Sequence, residues 1–338
     1  MTSAIRAQPT LRRRRTAAWT VCALVLAAVT LGTLALGDLG VAPGDALAAL
    51  AGSGDPGTIL VVREWRLPRA ALGIVIGALL GLSGALFQTV TRNPLGSPDI
   101  LGFSVGAFTG VLLATVVGAT SFLALTGGAV VGGLVAAVVV FGLSARGGLR
   151  GFTVVITGIG VTAMLGAVNI VLVLRLDDVR ARAAAVWATG SLNGVDAAWI
   201  LPAAVALVVG AVTVAAGAPA LQALEFGDDR AAGLGVRPAT VRWAAMVAGV
   251  GMISVATAVT GPIGFVALAA PQIARRLWHT GAIPFGASAL TGAVLLSASD
   301  LLASRLLAPA MLPTGLVTVC LGGVYLAWLL TRRQKDDR

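Results

Sequence analysis

The chain has 338 residues, of which 57% are hydrophobic and only 11% charged, and its mean hydropathy is +0.95. Soluble domains carry about 25% charged residues, so an ordinary water-soluble fold is excluded. A net charge of +10 would suggest nucleic acid in a soluble protein; here it reads as charge that orients membrane helices, with no nucleic-acid partner.

Apolar runs long enough to cross a bilayer recur along the whole length. They are continuous rather than alternating, so helices are expected and not a barrel. Ten spans are predicted, at about 17–36, 67–90, 99–118, 121–145, 152–174, 199–217, 239–258, 262–278, 285–304 and 311–331. The fold class is therefore an all-α polytopic membrane protein, with residues 1–338 as one transmembrane domain. The 44 glycines suit it, because small residues let membrane helices approach closely. The first run follows Arg12 to Arg15 but is about 20 residues long and has no sharp cleavage pattern, so it reads as a retained helix rather than a signal peptide. Ten is even, so both termini share a side. With the termini inside, 17 of the 24 basic residues fall on inside segments, among them the stretch 1–16 and the tail 332–338, as the positive-inside rule requires.

In chain order, the first marked feature is Arg66 to Ala107. It opens as Arg-Leu-Pro-Arg, continues as a Gly/Ala-rich span, breaks at Arg92-Asn93-Pro94 and restarts as a second apolar run. Seven arginines lie on outside segments against the charge bias: Arg63, Arg66, Arg69, Arg175, Arg180, Arg182 and Arg305. Either they are interfacial anchors beside Glu64, Asp177 and Asp178, or they form a docking surface for an acidic partner, a reading that falls first on Arg66 and Arg69. Asn169, in span five, is expected to hydrogen-bond between helices.

The inside loop from Leu221 to Trp243 is the most polar. Asp228 and Asp229 suit a helix N-terminus, and Gly235 should stop that helix after Leu234. Pro238 can open the next span, where its missing N–H costs little. Ala231, Ala232 and Gly233 are small enough for another protein to approach, although a plain re-entry loop has the same composition. TRNPLG at 91–96 is echoed by VTGPIGF at 259–265, each after a Gly/Ala-rich span, and the two spans run in opposite directions, as in a weak inverted repeat.

His279, the only histidine, is expected on the surface. Asp300 is the one acid well inside a late span, a functional candidate by default, but Arg305 lies within a turn and a half and a local ion pair is the simpler expectation. Cys22 and Cys320 read as small core residues, with no disulfide or metal spacing. No P-loop, strand–GxGxxG–helix or HExxH pattern occurs. No cofactor or metal site is expected, nor an enzyme. Without a series of buried carboxylates, a proton- or sodium-coupled carrier has little support, and any ATP coupling must come from another subunit.

Several stretches resemble the permease subunits of the FecCD type, bacterial ABC importers for iron-siderophore complexes, haem and vitamin B12. They are RLPRAALGIVIGALLGLSGALFQTVTRNPLGSPDILGF at 66–103, WATGSLNGVD at 187–196, FGDDRAAGLGV at 226–236, TGPIGFVALAAPQIARRL at 260–277 and ASDLLASRLLAPAMLPTGLVTVCLGGVYLAWLL at 298–330. The variants TRNPLGSPDILGF and WATGSLNGVD look closest to permeases for catecholate siderophores of the ferric-enterobactin class.

The resemblance implies the type II ABC importer permease fold in the bacterial cytoplasmic membrane, with both termini cytoplasmic. It implies as partners a second permease (a paralogue or a second copy), two cytoplasmic ABC ATPases and an extracytoplasmic substrate-binding protein, with a ferric siderophore as cargo, or haem or cobalamin as the alternative. Binding-protein docking would fall on Arg66, Arg69 and Arg305. Arg305 comes one residue later than the family's third arginine, whose place Ser304 holds. The loop at 218–238 would couple to the ATPase through Gly227, Asp228, Asp229, Ala231 and Gly235. The cytoplasmic gate would comprise Asn93, Pro94, Leu95, Gly96 and Ser97, with Gly147, Gly148 and Gly151.

Overall fold

The structure, a computed structural model, describes residues 2–36, 40–145, 151–308 and 310–336. Ten helices occupy the ten apolar runs. They are α1 (Thr2–Ala35), α4 (Leu67–Thr91), α5 (Phe103–Val116), α6 (Phe122–Ala145), α7 (Gly151–Val173), α9 (Ile200–Glu225), α11 (Pro238–Thr260), α12 (Val266–Leu277), α13 (Phe285–Ala303) and α14 (Thr314–Asp336). Four short helices lie between them: α2 (Pro43–Leu50), α3 (Pro56–Leu60), α8 (Asp178–Trp187) and α10 (Asp228–Gly233). Among the described residues, seven helices are long and apolar enough to cross a membrane. At 14 and 12 residues, α5 and α12 reach only about 21 and 18 Å, short of a hydrocarbon core of about 30 Å. Irregular backbone precedes each of them, at 92–102 and 261–265, and such backbone is tolerated at membrane depth only where protein buries it. Gly96, Ser97, Pro98, Leu101 and Gly102 are accordingly buried.

The α4 helix is the central post. Of its most apolar stretch 83% is buried, against 11% for α1 and 17% for α9. Its glycines explain how neighbours come so close. A Cβ on Gly77 would strike Gly292 O, one on Gly81 Ser288 O, and one on Gly84 Ala267 O. These positions therefore place α4 backbone-to-backbone against α13 and the start of α12. Around it, Leu72, Ile76, Leu79 and Leu80 pack with Val250 and Ile253 of α11. Phe87, Phe103, Phe141 and Trp243 form a file of rings with centroids 5.2, 5.6 and 5.7 Å apart, joining α4, α5, α6 and α11. Asn169 of α7 donates to Val105 O of α5 at 3.4 Å, the expected interhelical bond.

Two breaks organise the bundle, at opposite ends. The α4 helix stops at Arg92 in the left-handed conformation, φ 50°, and α5 restarts after Gly102, φ 85°. The α11 helix stops at Gly261, φ 73°, and α12 restarts after Phe265, φ 69°. Both members of the echo, 91–96 and 259–265, fall at a helix interruption.

Cys22 is buried among Ala274, Trp278 and Ala287. Cys320 is not a core residue: it is exposed on α14.

Candidate functional site

The described chemistry gathers at the two ends of the bundle. At the first, α3 runs into α4 through a π turn, Val61–Arg66. Pro68 lies just beyond; its ring would clash with the carbonyl four residues back in α-helical geometry, and the wider turn avoids this. Three arginines follow one another here, each holding a different neighbour. Arg63 donates to Ala49 O at 3.0 Å and Leu50 O at 2.6 Å, at the end of α2. Arg66 donates to Leu34 O at 2.7 Å and Ala35 O at 3.0 Å, at the end of α1. Both meet carbonyls at helix C-termini, where the helix dipole is negative. Arg69 forms a fork with Asp300, Nε to Oδ2 at 2.7 Å and Nη2 to Oδ1 at 2.9 Å.

Asp300 is therefore not paired with Arg305. Its side chain is only 4% exposed, and Thr314 Oγ1 also donates to its Oδ1 at 2.7 Å. The carboxylate faces α4 across the helix interface, where the Arg69 fork can meet it squarely; Arg305 lies beyond the end of α13. Arg66, Arg69 and Arg305 line one cavity of about 700 Å³, together with Glu64, Trp65 and Asn193. Arg305 stands two residues past the end of α13 at Ala303.

At the other end, α10 starts at Asp228 as expected and ends at Gly233, one residue before the expected end at Leu234. Gly227 and Gly235 flank it with φ 105° and 80°, backbone that favours glycine. Ala231 is buried against Ala223 and Leu224, so it seats the helix on α9 rather than facing outward. Asp228 accepts from Arg242 of α11, Nη1 to Oδ2 at 2.8 Å, and pairs with Arg92 at 3.2 Å. The Arg242 hydrogen bond holds the Asp228 carboxyl below its usual pKa of 3.8, against a smaller opposing effect of burial. Asp229 is exposed. Two flanking side chains escaped sequence reasoning: Phe226 and Leu234 are 65% and 70% exposed. Bulky apolar residues at both ends of a polar loop were the available signal.

The segment after Arg92 is a tight turn. Asn93 Oδ1 accepts from Leu95 N at 2.9 Å, and Gly96 N donates to Asn93 O at 2.9 Å. A Cβ on Gly96 would strike Thr91 Oγ1, and Ser97 is fully buried. Asn93 and Pro94 line a small polar cavity of about 170 Å³ with Gln88, Glu225, Gln272 and Arg275. Gly147 and Gly148 lie outside the described residues; Gly151 opens α7. His279 is exposed, as expected. Among the described residues no group of three or more His, Cys, Asp or Glu side chains could hold a metal ion.

The structure of a metal-chelate type ABC transporter in an inward-facing conformation is 24% identical, with a TM-score of 0.81 over 93% of this chain and 98% of that one. Among curated proteins, the ferric enterobactin permease FepG of Escherichia coli (strain K12) is 44% identical over 85% of this chain and 87% of its own length. The achromobactin permease CbrC of Dickeya dadantii (strain 3937) is 34% identical, covering 92% and 90%, and the hemin permease HmuU of Yersinia pestis 34%, covering 80% and 83%. The model of the FecCD transport family matches residues 24–332. The chain is a transport permease and belongs to the FecCD transport family.

Proposed function

We propose that this permease imports a ferric siderophore of the catecholate class across the bacterial cytoplasmic membrane, with both termini on the cytoplasmic side. The identity of 44% to a ferric enterobactin permease, ten points above the hemin and achromobactin permeases, carries the choice of cargo. Such a chelate brings its own iron ligands, so the permease needs to provide passage and not coordination.

The partners are a second permease, two cytoplasmic ATPases and an extracytoplasmic binding protein. Arg66, Arg69 and Arg305 then face the binding protein, whose carboxylates meet a cationic cavity. The α10 helix faces the ATPase with Asp229, the exposed Ala232 and Gly233, and the flanking Phe226 and Leu234. Residues 93–97 and the loop 147–151 form the inner gate. Binding outside and ATP-driven closure inside each shift the bundle between two packings, by no more than their differential affinity for the two.

Deletion of the gene in its host tests the cargo. Uptake of iron as ferric enterobactin should fall at least tenfold, while ferric hydroxamate, haem and cobalamin uptake stay within twofold. Loss confined to haem or cobalamin would move the assignment to that cargo.

A further inference from the structure

Arg92 occupies a backbone position that disfavours it. It caps α4 with φ 50°, where glycine or asparagine is the usual residue because a Cβ is strained there. Its guanidinium does not turn to solvent alone. It crosses to Asp228, the first residue of α10, at 3.2 Å. Asp228 is in turn gripped by Arg242, whose side chain is only 10% exposed. Arg92 Nη1 lies 3.6 Å from where a Cβ on Gly227 would sit, so the guanidinium rests directly against the start of α10. The next residues after Arg92 are the turn Asn93–Ser97.

We infer that Arg92 is a positioning residue for transport coupling: through Asp228 it latches α10 to the end of α4, so that displacement of α10 is handed directly to the segment 93–97. This rests on the reading of α10 as the ATPase-facing helix and of 93–97 as gate. Three features support the latch. The Arg242–Asp228 fork makes Asp228 a rigid extension of α11 rather than a free surface charge. The Arg92–Asp228 contact is half open to solvent, with side chains 42% and 44% exposed; it can part and re-form, which a buried pair cannot do cheaply. And the chain turns left-handed at Arg92 itself, so a pull on that side chain acts on the backbone at the one place where α4 has already stopped. Asp228 is by this reading occupied within the permease, and the exposed Asp229 is the acid left for the ATPase.

The test uses the whole complex, with permeases, ATPases and binding protein in proteoliposomes, and measures ferric enterobactin imported per ATP hydrolysed. Arg92→Gly suits the left-handed backbone, so folding and co-purification of the ATPase should be retained. The import-to-hydrolysis ratio should fall about fivefold, the low end for a coupling free energy, with hydrolysis within twofold of wild type. Arg92→Lys keeps the charge and should recover most of the ratio. An ion pair this exposed is screened by salt, so the wild-type ratio should drop between 0.05 and 0.5 M NaCl (roughly 14 to 4 Å of Debye length) while that of Arg92→Gly stays flat. An Arg92→Gly complex with an unchanged ratio, or with import and hydrolysis falling together, overturns the latch. A wild-type complex that imports no ferric chelate overturns the importer reading itself, and the latch with it.

Discussion

At the scale of single residues, the Arg69–Asp300 fork carries the clearest energetic consequence. Asp300 is nearly dry and has three donors from α4 and α14. Removing one partner of such a pair leaves an uncompensated buried charge, which costs about 3 kcal/mol or more. Asp300→Ala should therefore lower the thermal midpoint of the purified permease by several degrees, and Arg69→Met combined with Asp300→Leu should recover part of it; equal midpoints for Asp300→Ala and wild type would contradict the assigned role. The pairing was hidden in the sequence for a plain reason. The partners are 231 residues apart, whereas Arg305 stands close by along the chain and drew the expectation of a local pair. Local spacing identifies neighbours on one helix and says nothing of which face a second helix presents. The arginines themselves were legible, because they broke the charge bias. Which group each one meets was not: Arg63 the end of α2, Arg66 the end of α1, and Arg69 the carboxylate of Asp300 on α13.

At the scale of elements, hydropathy located all ten long helices, since lipid imposes length and apolarity together, but it missed polar extensions: α1 begins at Thr2 rather than near residue 17, and α9 runs on to Glu225 rather than ending near residue 217. It overestimated α5 and α12, whose runs include irregular backbone buried in protein and so remain apolar where the helix is absent. Close helix contacts can be tested at their glycines. Gly84→Ala would place a methyl against Ala267 O and should destabilise by about 1–3 kcal/mol. Gly142→Ala meets nothing within 4 Å and should be neutral or gain about 0.5 kcal/mol. A thermal series in detergent separates the two, and equal effects would remove the close-packing account. The seat of α10 has its own pH signature. The Asp228 pKa is lowered, so its stabilising contribution is fully present above the ordinary value of 3.8 and is lost only as pH falls through the lower folded value. A spin label at Ala232 should keep constant mobility from about pH 8 to pH 5 and loosen only below about pH 4; loosening between pH 7 and 5 would mean that another group holds the helix. The helix itself was readable from Asp228, Asp229 and Gly235, while its attachment through Arg92 and Arg242 depended on tertiary placement.

At the scale of the whole molecule, one buried post, α4, connects the two charged ends. Its first turns carry the Arg66 and Arg69 contacts, its middle packs through glycine on α13, and its last residue leads into Arg92. Under the proposed function, the arginine-lined cavity at one end meets the binding protein and α10 at the other meets the ATPase. The most direct test is import of ferric enterobactin into proteoliposomes holding the complete complex with its binding protein. Import that needs enclosed ATP and persists when the proton gradient is collapsed is the predicted result. Import driven by a proton gradient without ATP would contradict it.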